Sequence, residues 1–193
     1  MTQARLDANL GLEVDSWEFA LRIYARPLVA EACLKLQDEA GVDVMMLLFT
    51  AFAAVRHQVL LTKLEIRDLD EACRPCREQI VQPLRAIRGR LKSGPLPAPS
   101  SETEPFRSTI KAAELVAERL QNRLLTERLP RRSPERDAVS PQDLRCVLGG
   151  VVTLALARCG SQQTPNLQSS IDAIVEAAMQ DTRQVAGRAA WCN

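Results

Sequence analysis

Apolar residues recur at spacings of three and four along nearly the whole chain, the pattern of helices that bury one face. Asp15, with Glu18 three positions on, makes a capping-box start for a first helix running to about Ala25. Pro27 suits the first turn of a second helix, which sets Val29, Ala32, Cys33 and Leu36 on one face and stops at Gly41. Asp43 then caps a third helix, apolar from Val44 to Val55 except at Thr50. Gly41-Val42-Asp43 is thus expected to form a tight corner between helices.

The most regular stripe follows. Leu69, Cys73, Cys76, Ile80, Leu84, Ile87 and Leu91 predict one long helix over 68–92, broken or kinked near Pro75 or Pro83, each of which lacks a backbone donor. The segment 93–104, rich in Pro, Gly and Ser, predicts an extended linker. Pro105 opens a helix whose stripe is Phe106, Ile110, Ala113, Ala117, Leu120 and Leu124. The two long helices are expected to form an antiparallel hairpin, stripe against stripe, packed on the first three helices. A second linker spans 130–139. Ser140 and Pro141 start a helix that stops at Gly160, and Thr164-Pro165 starts the last one, with Leu167, Ile171, Ile174, Val175 and Ala178 on its apolar side.

No segment alternates with period two between turn signals, so the prediction is all-α, a bundle of six to seven helices. Its expected organisation is a tail over 1–14, a main helical domain over 15–129, the linker 130–139, a C-terminal helix pair over 140–186 packed on the main domain, and a tail over 187–193.

Composition narrows the function classes. The 193 residues carry 25 Lys and Arg against 24 Asp and Glu, a net charge of +1, which lacks the basic excess of a dedicated nucleic-acid binder. The apolar run 44–55 would rise only about 18 Å as a helix, short of the roughly 30 Å hydrocarbon core. No membrane span and no export signal is expected, which implies a cytoplasmic protein whose six cysteines stay reduced.

Candidate chemistry is sparse. Cys73 and Cys76 have redox spacing, but no strand flanks them and both fall on an apolar stripe, so they are read as core. Zinc wants a second close-spaced pair that the other cysteines do not offer, and His57 is the single histidine. It ends the third helix, where a capping role suits it. Glycine-rich phosphate loops and nucleophile elbows are missing from the sequence. Neither metal nor cofactor is expected, and no residue is singled out as catalytic. Glu114 and Glu118 share one side of their helix and are expected to flank the stripe, pairing with Arg85, Arg88 or Lys92. The basic runs Arg85-Arg88-Arg90-Lys92 and Arg128-Arg131-Arg132-Arg136 are read as solvated charge.

Several strings resemble a family of small uncharacterised proteobacterial proteins, a domain of unknown function. They are Ser16-Trp17-Glu18-Phe19-Ala20, Tyr24-Ala25-Arg26-Pro27, the run from Val29 to Asp38, Gly41-Val42-Asp43-Val44, Pro83 to Arg88, and Ile110 to Arg119. The family pattern has tryptophans where this chain has Phe52 and Cys76. The resemblance implies no activity. It selects Trp17, Tyr24, Gln37, Asp38, Arg88, Lys92, Glu114 and Glu118 as the candidate functional surface. Bottom-up, Trp17 and Tyr24 lie seven apart on one helix face and suit core anchoring, while Gln37 and Asp38 are expected to bond backbone beside the corner.

The function expected is binding, with another protein or a second copy of the chain as partner, through the face around the two long helices. Anionic lipid and nucleic acid are set aside as partners. The alternative is an enzyme or a carrier of hydrophobic small molecules with its site inside the bundle. A pocket of some hundreds of Å³ with converging polar groups separates the two.

Overall fold

The structure, a computed structural model, describes the backbone of residues 3–133, 138–160 and 165–190, and the side chains of 9–133, 138–160 and 166–181. Arg136, Thr164 and Cys192 lie outside the described residues. Among the described residues eight α-helices form: α1 (Gln3–Tyr24), α2 (Pro27–Ala40), α3 (Val44–His57), α4 (Lys63–Cys76), α5 (Gln82–Ser93), α6 (Glu104–Glu127), α7 (Pro141–Cys159) and α8 (Pro165–Ala190). A π turn, Arg77–Val81, makes α4 and α5 one rod, so there are seven rods and, among the described residues, no strand. The chain is all-α.

Short polar signals set the helix ends. The Asp43 carboxylate accepts the Met46 N–H at 3.1 Å and starts α3. Thr62 with Glu65, and Ser140 with Asp143, form reciprocal capping boxes on α4 and α7. Gly41 and Gly160 take the left-handed conformation that ends α2 and α7. Every residue from Met45 to Val55 is buried, so α3 is apolar all round and must be enclosed. It is enclosed by α1, α2, α6, α7 and α8. Phe19, Phe49 and Phe52 stack inside with ring centroids 5.7 and 6.2 Å apart, each contributing about 1.5–3 kcal/mol by burial. Among the described residues no helix is long and apolar enough to cross a membrane.

Four expectations are corrected. First, α1 begins at Gln3, so Asp15 is internal to a helix and the stretch 1–14 expected as a tail is helical from its third residue. Leu12 packs on the core, and the Glu13 carbonyl accepts the Asn122 Nδ2 at 3.0 Å, which ties this extra length down. At the other end α8 continues through Ala190, into the stretch expected as a tail from 187.

Second, the break expected near Pro75 or Pro83 is present, as the π turn before Pro83, and what it overturns is the apolar stripe. The Gln82 N–H donates to the Arg77 carbonyl, five residues back, immediately before Pro83, whose nitrogen has nothing to donate. The wide turn rotates everything after it. Leu69 and Cys73 are buried as expected, but within the turn Val81 is buried in place of Ile80, and past it Ile87 faces out.

Third, α6 buries Glu114, Ala117, Gln121, Asn122, Leu125 and Thr126, and leaves Phe106 and Leu120 53% exposed. The two apolar stripes therefore meet only in part: the Cys76 thiol reaches the Ala117 carbonyl at 3.9 Å, while Phe106 and Leu120 face out. Polar side chains can be buried here because partners meet them: Ser16 Oγ donates to Asn122 Oδ1 at 2.9 Å, for example.

Fourth, the charged linker is anchored. Arg132 Nη2 donates to the Leu60 carbonyl at 2.7 Å, its guanidinium pairs with Glu65, and Val139 is buried.

Candidate functional site

The π turn decides what α5 presents to α6. After its rotation Arg85 and Arg88, not Ile80 and Ile87, lie on the inner side of the rod. Arg85 Nε donates to Glu114 Oε1 at 2.9 Å and its Nη2 to Glu118 Oε1 at 2.7 Å, while its Nη1 donates to the Gln37 side-chain carbonyl on α2. Arg88 grips both oxygens of Glu114 through Nε and Nη2. Residues later in α5 thus meet residues earlier in α6. The expected pairing of the two glutamates with basic residues of the preceding helix is present for Arg85 and Arg88. Lys92 takes no part.

Above this charge cluster lies a cleft of about 630 Å³, walled by α1, α2, the start of α3, α5 and α6. Its apolar wall is Trp17, Leu21, Leu34, Met45, Leu48 and Leu115. Tyr24, Gln37, Arg85, Arg88, Glu114 and Glu118 converge on it from the polar side, with Ser108 and Lys111 at α6. The buried face of α1 is Ser16, Phe19, Ala20 and Ile23; on its flank Trp17 packs against the core as expected and also lines the cleft, whereas Tyr24 is exposed and lines the cleft alone.

The two carboxyls are driven apart. Burial pushes Glu114 up, but the hydrogen bonds from Arg88 and Arg85 outweigh it and hold this carboxyl below its ordinary value. Burial also pushes Glu118 up, and here Arg85 offsets it only in part while Glu114 adds like-charge repulsion, so the net shift is upward. The site therefore holds one carboxylate fixed by arginines and one carboxyl that keeps its proton more readily. Burial also raises the Tyr24 phenol, with Glu118 adding to the effect.

A second polar cluster holds the cleft in shape. Arg77, in the π turn, donates to Asp43 Oδ2 at 3.1 Å and to Asp70 Oδ1 at 2.8 Å. Arg158 from α7 reaches Asp70 at 2.7 Å, and Gln121 from α6 donates to Asp43. Burial lowers the tendency of Arg77 to hold its charge, but Asp43 and Asp70 more than restore it. Since Asp43 caps α3, this cluster locks the helix end carrying Met45 to the π turn and to α6.

Of the residues singled out in the sequence, Trp17, Tyr24, Gln37, Arg88, Glu114 and Glu118 come together at the cleft. Asp38 and Lys92 are exposed and do not line it. Gln37 bonds across to Arg85, not to the neighbouring backbone as expected. Arg85, noted in the sequence as a pairing partner and a member of a basic run, is the hub of the cluster; Lys111 stood in a family string without being singled out, and Arg77 carried no sequence signal. Cys73 is buried with its thiol pushed up to about 12 by that burial, and Cys76 is half-buried and raised, so this spacing belongs to packing. His57, the last residue of α3, packs edge-on to Phe52 at 5.0 Å, and burial lowers its pKa. Among the described residues no group of three or more His, Cys, Asp or Glu could hold a metal ion.

The family described as "Protein of unknown function (DUF2390)" matches residues 15–125, more than half of the chain. The chain belongs to this family. No curated protein and no solved structure matches it. The DUF2390 segment contains every residue that lines the cleft, from Trp17 to Glu118, whereas α7 and α8 lie outside it.

Proposed function

We propose that this protein works by binding a small amphiphilic molecule in the cleft. The supporting observation is a cavity of about 630 Å³ with an apolar wall and charged groups converging on one side, a size and make-up suited to a ligand of drug-like dimensions. The apolar part would rest on Trp17, Leu21 and Leu115, and the polar part would meet α5 and α6. The bundle-site alternative is thereby preferred to a flat protein-binding face. Its catalytic version rests on the split between Glu114 and Glu118.

A neutral hydrophobic dye such as N-phenyl-1-naphthylamine tests the reading. One dye molecule should bind per chain, with the signal lost in Ala112→Trp, which fills the cleft from an exposed position. Undiminished binding by that variant would remove the cleft as the site.

A protein partner is the second reading, favoured by Leu115, Val116 and Leu120, which stand 47%, 62% and 53% exposed beside the cleft. Val116→Asp would then abolish the association, and would leave dye binding intact if the first reading holds. We place the protein in a reducing compartment, the cytoplasm. The free state of Cys33, Cys73, Cys76, Cys146 and Cys159 supports that placement.

A further inference from the structure

We propose that the ligand carries a single acidic head, as in a medium-chain carboxylate, and that Lys111 and the free edge of Arg88 receive it. This rests on the cleft being a ligand site, and it follows from which polar atoms there remain unspent. Glu114 has both oxygens bonded by guanidinium groups. Arg85 is used at all three nitrogens. Arg88 is bonded through Nε and Nη2 alone, which leaves Nη1 and its two hydrogens unengaged among the described residues. Lys111 lines the cleft with no ion-pair partner among the described residues. The Trp17 ring N–H and the Tyr24 hydroxyl are likewise unengaged there. Against these donors the one carboxylate oxygen still open is the second oxygen of Glu118.

Charge agrees with the donor count. Arg85, Arg88 and Lys111 set three positive charges in the lining against Glu114 and Glu118, an excess of one even with both carboxyls ionised. A monoanion neutralises that excess, whereas a cation would add to it and find a single open acceptor. The acidic group would accept from Arg88 Nη1 and Lys111, and the chain would run along Leu21, Leu34 and Leu48.

Three probes with one tail and different heads decide the matter: dodecanoate, dodecanol and dodecyltrimethylammonium, each titrated calorimetrically below its micelle concentration. Dodecanoate should bind about tenfold tighter than dodecanol, the effect of one or two charge-assisted hydrogen bonds in a half-open site. The cationic probe should bind weakest. Lys111→Gln, an exchange at an exposed position, should narrow the dodecanoate preference severalfold, and so should raised salt. Equal binding of all three heads would overturn the acidic-head inference while leaving the cleft as a ligand site. Preference for the cationic head would overturn it too. Binding of none of them would remove the cleft reading itself. Capture by phosphatidylglycerol vesicles with no binding of monomeric dodecanoate would assign the acidic group to a lipid surface and overturn the free-ligand assignment.

Discussion

Arg77 Nη1 lies 2.8 Å from Asp70 Oδ1 with both side chains almost wholly enclosed, 6% and 2% accessible. The same nitrogen reaches Asp43 at 3.1 Å, so one guanidinium ties the cap of α3 to α4. A buried pair of this kind gains little over an apolar replacement of the whole group, yet removing one member strands the others. Arg77→Ala should therefore cost about 3–5 kcal/mol in urea unfolding. Arg123→Ala, at an exposed pair on α6, should cost at most about 0.5 kcal/mol by the same measurement. Equal small effects for both would mean that the cluster does not hold the end of α3.

Glu114 is held ionised more strongly in the folded protein than in the unfolded chain, where a glutamate titrates near 4.5. Its contribution is complete above that value and is lost as pH falls through the lower folded value. Glu114→Gln should cost about 1–3 kcal/mol at neutral pH and flatten the acid limb of the stability profile. A profile identical to that of the wild type below about pH 4.5 would exclude this role.

Glu118 has the opposite sign. Folding favours its proton, so its stabilisation is present below 4.5 and declines as pH rises through the raised folded value. Glu118→Gln, which mimics the protonated side chain, should remove that decline. Unfolding curves collected from about pH 4.5 to 8 will show whether the variant gains on the wild type toward the alkaline end.

Thiol reactivity should divide by burial. Cys33 and Cys73 are enclosed and their thiols are pushed up to about 12, so almost no thiolate is present near neutrality. Cys146 and Cys159 are exposed. Mass-resolved alkylation of the native protein should modify those two first and Cys33 and Cys73 only on unfolding. Rapid native labelling of Cys73 would return the Cys73–Cys76 pair to the redox reading.

Gly41 has φ +63°, and a Cβ there would stand 2.7 Å from the Cys159 Sγ. The sulfur ends a short exposed side chain and can turn away, whereas the backbone angle is imposed by the corner. Gly41→Ala should cost about 1–2 kcal/mol from that angle. Adding Cys159→Ser should leave most of the loss in place, because it removes neither the angle nor the corner. Full rescue by the second change would show that crowding, not conformation, selects glycine.

The caps of α3 and α7, the corner at Gly41 and the buried third helix could be read from residue order, because each rests on near neighbours: Asp43 on Met46, Ser140 on Asp143, Gly41 on its own freedom to turn left-handed. So could the ion pairs of Glu114, since opposite charges lay along two helices that a linker returns to each other. Tertiary structure decided which faces those helices bury. Apolar spacing alone put Ile80 and Ile87 inside, but one i→i+5 bond before Pro83 turned them out and brought Arg85 and Arg88 to the cleft. On α6, apolar spacing favoured Phe106 and Leu120. The face actually buried carries Gln121 and Asn122, because Asp43 on α3 and Ser16 on α1 stand ready to bond them. The cost of burying a polar group depends on its partners, and those lie about a hundred residues away for Asn122. A pattern of neighbours carries no record of them.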